Sequence, residues 1–446
     1  MLRALELNGL KRGLLNIKIK KLIEKIEGEA ELNFSFKNQK IDDVKINFAF
    51  SRGIEKILEG KSPFDALVIT PRVCGICNHA HLLASVRAIE DGYRGAGVKV
   101  ELSNKARDIR EFTLACEVIQ NHIKWFYLTM LPQLEKMLKQ SNQENHALKA
   151  SYLSATITKA LAIFAGQWPH SGYAVVGGVT CDPTYVDIIQ AEGLIDESIT
   201  FFEQIVAGIK IDELLNMNSV TELQNIGGDL GKLLYLLGTS GMAEVGKSHD
   251  RFIVFGECLC FKIGKSVPTQ VSTINPKYVK ESEQEGTLAK AVTYKGKLFE
   301  VGSLARGMIS KEPIVKALHK RYKDSLVTRI FARIYEIGLL LDYSKRVLNR
   351  LDVSEPSCTI DSGLEIEDFE GVGVVEAARG SLIHKISVQN YKIKSYEIIT
   401  PTQWNLSHGD SQERGIAIKS MIGSKTIEEA TYIFRAFDVC SVCTTQ

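Results

Sequence analysis

Hydrophobic and polar positions change their period several times along the chain. Residues 30–50 alternate apolar and polar side chains on both sides of a polar break, which predicts a β-hairpin. Apolar side chains recur at three- and four-residue steps over about 82–240 and again over 312–352, and this spacing predicts helices. Residues 251–302 and 371–400 are typical of strands, and a last helix is predicted over 427–437.

The order of these segments predicts an α+β fold, with a mainly helical core built as a long helix bundle and small peripheral β-sheets. An N-terminal β-hairpin region covers about 1–50, and a tail with a Cys-x-x-Cys motif closes the sequence. No internal repeat, low-complexity stretch or Pro/Ser-rich linker separates the segments. We therefore expect one intertwined domain over 1–446.

Composition narrows the class of protein. The 446 residues include 55 basic and 53 acidic side chains, a net charge of +2, which argues against a polybasic nucleic-acid binder. Hydrophobic residues make up 45% and charged residues 24%, as in globular domains. No apolar run reaches the roughly 18 residues of a membrane helix, and the N-terminus lacks a signal-peptide pattern. We expect no membrane span and no export signal in this chain.

Two Cys-x-x-Cys pairs carry the candidate chemistry. They are Cys74/Cys77 and Cys440/Cys443, and each has the gap that lets two thiolates face one metal ion. One such pair is a weak signal, since it also suits a redox dithiol or half of a zinc site. The large separation does not fit a local zinc ribbon, although a zinc ion joining both segments stays open. Thiolates bind nickel, iron, copper(I) or zinc, and spacing does not choose among these metals.

The first pair lies in a cationic stretch of sequence. Arg72 and His81 flank it, and a cation beside a thiol favours the thiolate.

Ordered motifs along nearly the whole chain resemble those of the large, catalytic subunit of nickel–iron hydrogenases. The first is R-x-C-G-x-C-x-x-x-H, from Arg72 to His81. The other segments, in family order, are I-E-G at 26–28, S-R-G-I-E at 51–55, P-H-x-x-x-x-V-V-G-G-V at 169–179, L-A-R at 304–306, E-A-x-R-G-x-L-x-H at 376–384, P-T-x-W-N at 401–405 and F-D-x-C-x-x-C at 437–443. The resemblance implies the large-subunit fold of these enzymes and the reversible cleavage of H₂ into protons and electrons.

The resemblance also implies a cofactor. This is a nickel–iron centre whose iron carries carbonyl and cyanide ligands inserted by maturation proteins. Cys74 and Cys440 would be terminal nickel ligands, and Cys77 and Cys443 would bridge the two metals.

Four catalytic roles follow from the same resemblance. Cys440 would be the base that takes the proton, and Glu27 would relay it away. Arg379 would place its charge over the open metal position, held there by Asp438. Without the resemblance, Glu27 is an ordinary solvated acid and Arg379 a salt-bridge arginine at a strand end.

Some positions depart from the family pattern. Glu55 and Gln446 are candidate ligands of magnesium or another second cation, but Gln446 replaces the histidine that the family usually has. Asn121 stands near the centre where an acid is common, and Val439 replaces a proline. By the same resemblance His81 supports the centre from the surrounding shell of residues, together with Arg72 and Asn121.

The implied partner is a small subunit with iron–sulfur clusters, because this chain has no additional cysteine array for carrying electrons. We expect a heterodimer or a higher assembly, in the cytoplasm or at a membrane through a partner subunit. A hydrogen-sensing regulatory subunit with slow turnover is the alternative, and a zinc-stapled protein without catalysis is less favoured. The complex I relative of this fold lacks the cysteines found here.

Overall fold

A computed structural model describes residues 17–26, 28–48, 51–140, 144–256, 266–267, 274–284, 287–361, 363–409, 412–440 and 443. Within them the helices are α1 (Ile54–Leu58), α2 (Ala66–Ile69), α3 (Asn78–Gly95), α4 (Asn104–Trp125), α5 (Leu131–Met137), α6 (His146–Ala165), α7 (Tyr185–Phe201), α8 (Ile211–Asn216), α9 (Gly228–Thr239), α10 (Ser303–Ser310), α11 (Pro313–Tyr322), α12 (Leu326–Arg350), α13 (Pro401–Leu406), α14 (Ile416–Met421) and α15 (Ile427–Ala436). The strands are β1 (Ile17–Ile26), β2 (Gly28–Lys37), β3 (Lys40–Asn47), β4 (Ala174–Val175), β5 (Gly178–Val179), β6 (Phe252–Ile253), β7 (Ser266–Val267), β8 (Val279–Ser282), β9 (Ala291–Tyr294), β10 (Phe369–Ala377), β11 (Gly380–Gln389) and β12 (Lys392–Ile399).

The long helices α3, α4, α6, α7 and α12 build the core, as the helical spacing predicts. α4 begins where the Ser103 hydroxyl accepts from the Ala106 N–H, a common N-cap. The segment predicted as one helix over 312–352 is instead two, α11 and α12. The chain turns at Lys323, whose φ of 61° lies in the left-handed region that ends a helix. The apolar spacing resumes only three residues later, so the periodicity of the sequence does not reveal that one helix ends and another begins.

The N-terminal sheet is larger than the predicted hairpin. β2 and β3 form that hairpin around Asn38 and Gln39, and β1 adds a third antiparallel strand. The lysines and the single glutamate of β1 concealed its alternation in the sequence. The inner face of the sheet, including Phe34 and Val44, packs on α14 and α15 in a second hydrophobic cluster. An N-terminal element thus supports the helix that precedes the second cysteine pair.

The C-terminal sheet has the antiparallel order β10–β11–β12 and packs on α3. Gly371 and Gly373 allow this close approach. A Cβ at Gly373 would lie 1.9 Å from the Ala84 carbonyl oxygen, and one at Gly371 would lie equally near that of Ala88. The helix that follows the first cysteine pair is therefore pressed directly against the strand that leads to Arg379.

The strands of segment 251–302 are shorter than the pattern suggests. In its described part they are β6 to β9, and none is longer than four residues. Residues 257–265, 268–273 and 285–286 lie outside the described residues. Among the helices of the described ranges, none has the length and apolar character needed to cross a bilayer.

Candidate metal centre

Each cysteine pair lies where a helix begins or ends. The first follows a 3₁₀ turn at Thr70–Val73, and Cys77 is the N-cap residue of α3. The second follows α15, and the chain reverses through Asp438, whose φ is 54°. The Thr400 hydroxyl donates to the carbonyl oxygen of Cys443 at 2.6 Å, which ties the second pair to the start of α13. Both pairs are thus fixed by regular structure.

The four sulfur atoms meet in the interior. The Cys74 and Cys440 Sγ atoms are 3.7 Å apart, those of Cys77 and Cys443 are 3.6 Å apart, and those of Cys440 and Cys443 are 2.8 Å apart. All four residues are buried, Cys74 and Cys440 completely. Thiols from segments 366 residues apart therefore converge on one point, as a shared metal centre requires.

The pKa values of the cysteine thiols indicate that the cluster needs cations to be fully deprotonated. Hydrogen bonds from the other three thiols hold the pKa of Cys74 well below its usual range. Burial and the neighbouring sulfurs raise the pKa values of Cys440 and Cys443 well above theirs. Four buried thiolates repel one another, so all four carry charge only when positive ions lie between them.

A guanidinium lies beside the cluster. Arg379 sits in the turn between β10 and β11, and its Nε donates to the Asp438 carbonyl oxygen at 2.6 Å. Its Nη2 donates to Asp438 Oδ1 at 3.3 Å, and Arg333 Nη1 donates to Asp438 Oδ2 at 2.7 Å. Burial lowers the pKa of Arg379, but Asp438 and the cysteine sulfurs outweigh it and raise that pKa well above the usual value. The structure thus brings Arg379, Asp438 and Cys440 together.

Histidine completes one side of the cluster. A ring nitrogen of His81 lies within 4.8 Å of the Cys77 and Cys443 sulfurs. Its Nδ1 is 3.0 Å from His384 Nε2, and His384 Nδ1 is 2.9 Å from the Tyr396 hydroxyl. Burial lowers the pKa of His81 to about 4, so the ring is neutral near pH 7.

Two residues were predicted to surround the cysteine cluster. Arg72 lies elsewhere, and Asn121 lies only at the edge of the cluster. Arg72 is exposed, and its guanidinium donates to the carbonyl oxygen of Val68, so the structure does not bring it against the sulfurs. Asn121 is buried and lines a cavity beside Arg379. Glu27 and Gln446 lie outside the described residues.

Glu55 belongs to a separate ionic cluster. Its carboxylate accepts from the Ile398 N–H at 2.8 Å and from Lys290 Nζ at 3.1 Å. The same Lys290 Nζ is 3.3 Å from a Glu281 carboxylate oxygen. Burial raises the pKa of Glu281 to about 7. Lys290 thus occupies the point between two carboxylates at which a cation would bind.

The sequence patterns gave no warning of some residues near the centre. Glu117 is one, because a carboxylate on an apolar helix looks like an ordinary surface acid. Its oxygens accept the backbone N–H groups of His79 at 2.8 Å and of Ala80 at 3.0 Å, in the first turn of α3. Burial raises the pKa of Glu117 to about 8. One signal could have pointed to it. The helix after the Cys-x-x-Cys motif begins with backbone N–H groups that have no partner within the helix, and these groups need a buried acceptor.

The fold and these four sulfurs define an α+β metalloprotein with a buried thiolate centre. The chain matches the nickel-dependent hydrogenase family over residues 52–134 and 261–446, and it belongs to that family. It is a hydrogenase large subunit, an oxidoreductase, as the motifs predict.

Curated relatives match along most of their own length. The chain is 26% identical to the periplasmic [NiFeSe] hydrogenase large subunit of Desulfomicrobium baculatum, over 90% of this chain and 88% of that one. It is 26% identical to the sulfhydrogenase 1 subunit alpha of Pyrococcus furiosus, over 94% of this chain and 96% of that one. The uptake hydrogenase large subunit of Bradyrhizobium diazoefficiens is 25% identical, over 88% and 89%.

A solved structure confirms the predicted fold. The Ni-Fe-Se hydrogenase of D. vulgaris Hildenborough in the reduced state superposes with a TM-score of 0.80 and 23% identity. The match covers 97% of this chain and 100% of that chain.

Proposed function

We propose that this subunit cleaves H₂ heterolytically, H₂ ⇌ 2H⁺ + 2e⁻, at a nickel–iron centre held by Cys74, Cys77, Cys440 and Cys443. The single observation that carries the proposal is the meeting of two distant cysteine pairs at one buried point. Cys74 and Cys440 are proposed as terminal nickel ligands, and Cys77 and Cys443 as bridges to iron.

The surroundings suit a metal with small ligands. A cavity of about 10 Å³ lies against Cys77 and Cys443, with walls that include Leu382 and Pro401. The Thr402 hydroxyl also lines it and is buried without a hydrogen-bond partner in the described part of the chain. A free hydroxyl beside Cys77 and Cys443 would suit a cyanide ligand on iron, because cyanide nitrogen accepts a hydrogen bond.

The metal pair, when bound, supplies a Lewis acid that polarises H₂. The chain supplies the remaining groups. Cys440 Sγ would take the proton in this proposal, as the family resemblance implies, and its side chain is completely buried. Arg379 holds a fixed positive charge beside it, and the carbonyl and carboxylate of Asp438 orient that guanidinium.

The proposed routes of the proton and the electrons away from the centre use groups that lie outside the described residues or in other chains. Glu27 is proposed to take the proton from Cys440 and release it toward the surface. Electrons are proposed to pass to a small subunit with iron–sulfur clusters, in a heterodimer or a larger assembly, in the cytoplasm or at a membrane through a partner. Maturation proteins would insert the centre.

A second cation, magnesium or another, is proposed at Glu55, with Gln446 as a further candidate ligand. It has to compete with Lys290, whose ammonium already contacts both Glu55 and Glu281. A divalent ion that displaced Lys290 would find the oxygen ligands of two carboxyl groups there. No step of the reaction is assigned to this cation.

H₂-dependent dye reduction by the purified complex, combined with metal analysis, tests the function. We expect rapid turnover, with one nickel per large subunit and iron in excess of nickel, because the iron–sulfur clusters of the small subunit add to the iron of the centre. Arg379→Lys should keep that metal content and lose about 10²-fold or more in turnover, because lysine keeps the charge but not the planar fork that Asp438 holds.

The exposed Arg346→Lys on α12 is the matched control and should behave like the parent. Normal turnover in Arg379→Lys would remove this residue from the mechanism. Slow turnover with a retained H₂ response would favour the regulatory subunit, and one zinc without nickel would leave a structural protein.

A further inference from the structure

A second buried arginine contacts the turn that carries Arg379. It is Arg306 on α10, the last residue of the L-A-R motif, and it is fully buried. Its Nη1 donates to the Ala377 carbonyl oxygen at 2.9 Å, and its Nη2 donates to that of Ala378 at 3.3 Å. One guanidinium thus binds the carbonyl groups of the two residues directly before Arg379.

Two carboxyl groups hold this guanidinium in place. Its Nε and Nη2 donate to Glu336 on α12 at 2.5 and 2.8 Å, and its Nη1 donates to Glu376 on β10 at 3.2 Å. Burial raises the pKa of Glu336, but Arg306 outweighs burial and holds that pKa below its usual value, so Glu336 is ionised. A bidentate pair with a carboxylate fixes the plane of a guanidinium. Helix α12 therefore sets the direction in which Arg306 meets the turn.

The backbone before α10 contacts the same turn. A Cβ at Gly302 would lie 3.0 Å from the Arg379 carbonyl oxygen, and one at Gly380 would lie 2.6 Å from the Gly302 nitrogen. Both glycines have positive φ, 117° and 127°, which side chains rarely adopt. The turn is thus held at two points by one short element, through backbone contact at Gly302 and through the side chain of Arg306.

We propose that Arg306 is a positioning residue for Arg379, because it fixes the backbone from which the Arg379 side chain extends toward the cysteine cluster. Asp438 fixes the other end of that side chain through its carbonyl oxygen and its carboxylate. With both ends held, the positive charge keeps one place beside the cluster, as preorganised electrostatic catalysis requires. A buried ion pair is by itself weak evidence for stability, so position is the better account of this one. The effect on rate rests on the proposed H₂ chemistry, whereas the effect on the turn does not.

Arg306→Lys in the purified hydrogenase complex tests the proposal. Lysine keeps the charge but lacks the planar fork, so it cannot contact Glu336 and both carbonyl groups together. We expect parent-like nickel content and a turnover lower by about tenfold or more, since small displacements of a catalytic group have effects of this size. We also expect faster hydrogen exchange of the amides of residues 376–382, measured by mass spectrometry.

Arg110→Lys is the matched control. Arg110 is equally buried, forms a bidentate pair with Glu90, and donates to the carbonyl oxygens of Val175 and Gly178. Its contacts thus copy those of Arg306 at a different place in the fold. The control should melt at a lower temperature, as Arg306→Lys does, but keep parent-like turnover and parent-like exchange at 376–382.

The double variant Arg306→Lys with Arg379→Lys separates positioning from a general loosening of the fold. If Arg306 acts through Arg379, the double variant should turn over no more slowly than Arg379→Lys alone, because residues that act as one unit are not additive. Losses that multiply would overturn the proposal. So would parent-like turnover or parent-like exchange in Arg306→Lys, or an equal loss of turnover in Arg110→Lys.

Glu376→Gln replaces Arg306→Lys if the latter does not fold. It keeps the shape of the side chain and removes a charge that holds Arg306, so the same pattern of turnover and exchange is expected. Parent-like turnover and exchange in this variant would exclude the positioning role. Absence of H₂ turnover in the parent complex would count against the proposed function, and exchange at 376–382 then decides by itself whether Arg306 fixes the turn.

Discussion

At the scale of single residues, the proposed metal centre depends on four cysteine sulfurs. Few neighbouring side chains could replace one of them as a metal ligand. Each thiol of the cluster contacts another thiol within 3.7 Å, so removing one leaves a gap that the remaining three do not fill. The four cysteines are at most 5% exposed. A change of one sulfur to oxygen is therefore a sharp test of the ligand set.

Cys74→Ser should abolish nickel retention, because a hydroxyl is a much poorer ligand than a thiolate for a soft metal site. Metal analysis after purification measures the outcome. Cys116→Ser is the matched control, since Cys116 is just as buried but is not one of the cysteines whose sulfurs are grouped. Parent-like nickel content in Cys74→Ser would contradict the ligand assignment.

The residues of the centre were predictable to different degrees. The cysteine pairs follow from spacing, and Arg379 and Asp438 follow from the motif that contains each. Arg72 shows the limit, because its place in the motif says nothing of the direction in which its side chain points. Glu117 and Lys290 were not predicted, because no pattern in the sequence around either residue indicates its role. Only the fold brings them to the centre or its surroundings.

At the scale of elements, α3 and β10 form the joint on which the first cysteine pair depends. Strand β10 approaches the helix so closely that the carbonyl oxygens of α3 lie where side chains would stand on the strand. The sequence predicted both elements, since each has a clear period. Their contact was not predictable, because a glycine in a strand indicates a close approach without naming what approaches.

Gly373→Ala should separate strand from helix and lower both stability and metal retention. The added methyl group meets the Ala84 carbonyl, and overpacking of this kind costs roughly 1–3 kcal/mol. Thermal unfolding and nickel content measure the two effects.

Gly95→Ala, at the end of the same helix with open space around it, serves as the control and should be neutral. A Gly373→Ala protein with parent-like melting temperature would show that the joint yields more easily than its geometry suggests.

At the scale of the whole molecule, buried histidines join elements that are far apart in the sequence. His122 on α4 lies 2.8 Å from Glu336 on α12, and His384 on β11 contacts α3 through Ser85. Burial lowers the pKa of His122 to about 4, against the opposing effect of Glu336. Burial also puts the pKa of His384 well below its usual value. Both rings are neutral in the fold and charged in the unfolded chain below about pH 6.5.

Acid should therefore destabilise the protein before the carboxylates with ordinary pKa values titrate. The contribution of each histidine is complete above about pH 6.5 and is lost as the pH falls toward 4, by up to about 1.4 kcal/mol per pH unit. Melting temperatures between pH 4.5 and 7.5 measure this slope. His122→Gln should melt lower throughout with a shallower slope, and an unchanged slope would show that His122 already carries its proton in the fold.

Since the centre joins residues 74–77 to residues 440–443, about four fifths of the chain must leave the ribosome between the first pair and the second. The early helices can collapse in that interval, but the nascent metal pocket stays open on one side. The strands β1–β3 must also wait for α14 and α15, on which they pack. The metals can therefore be inserted while the last segment is still undocked, and docking of that segment then buries the centre.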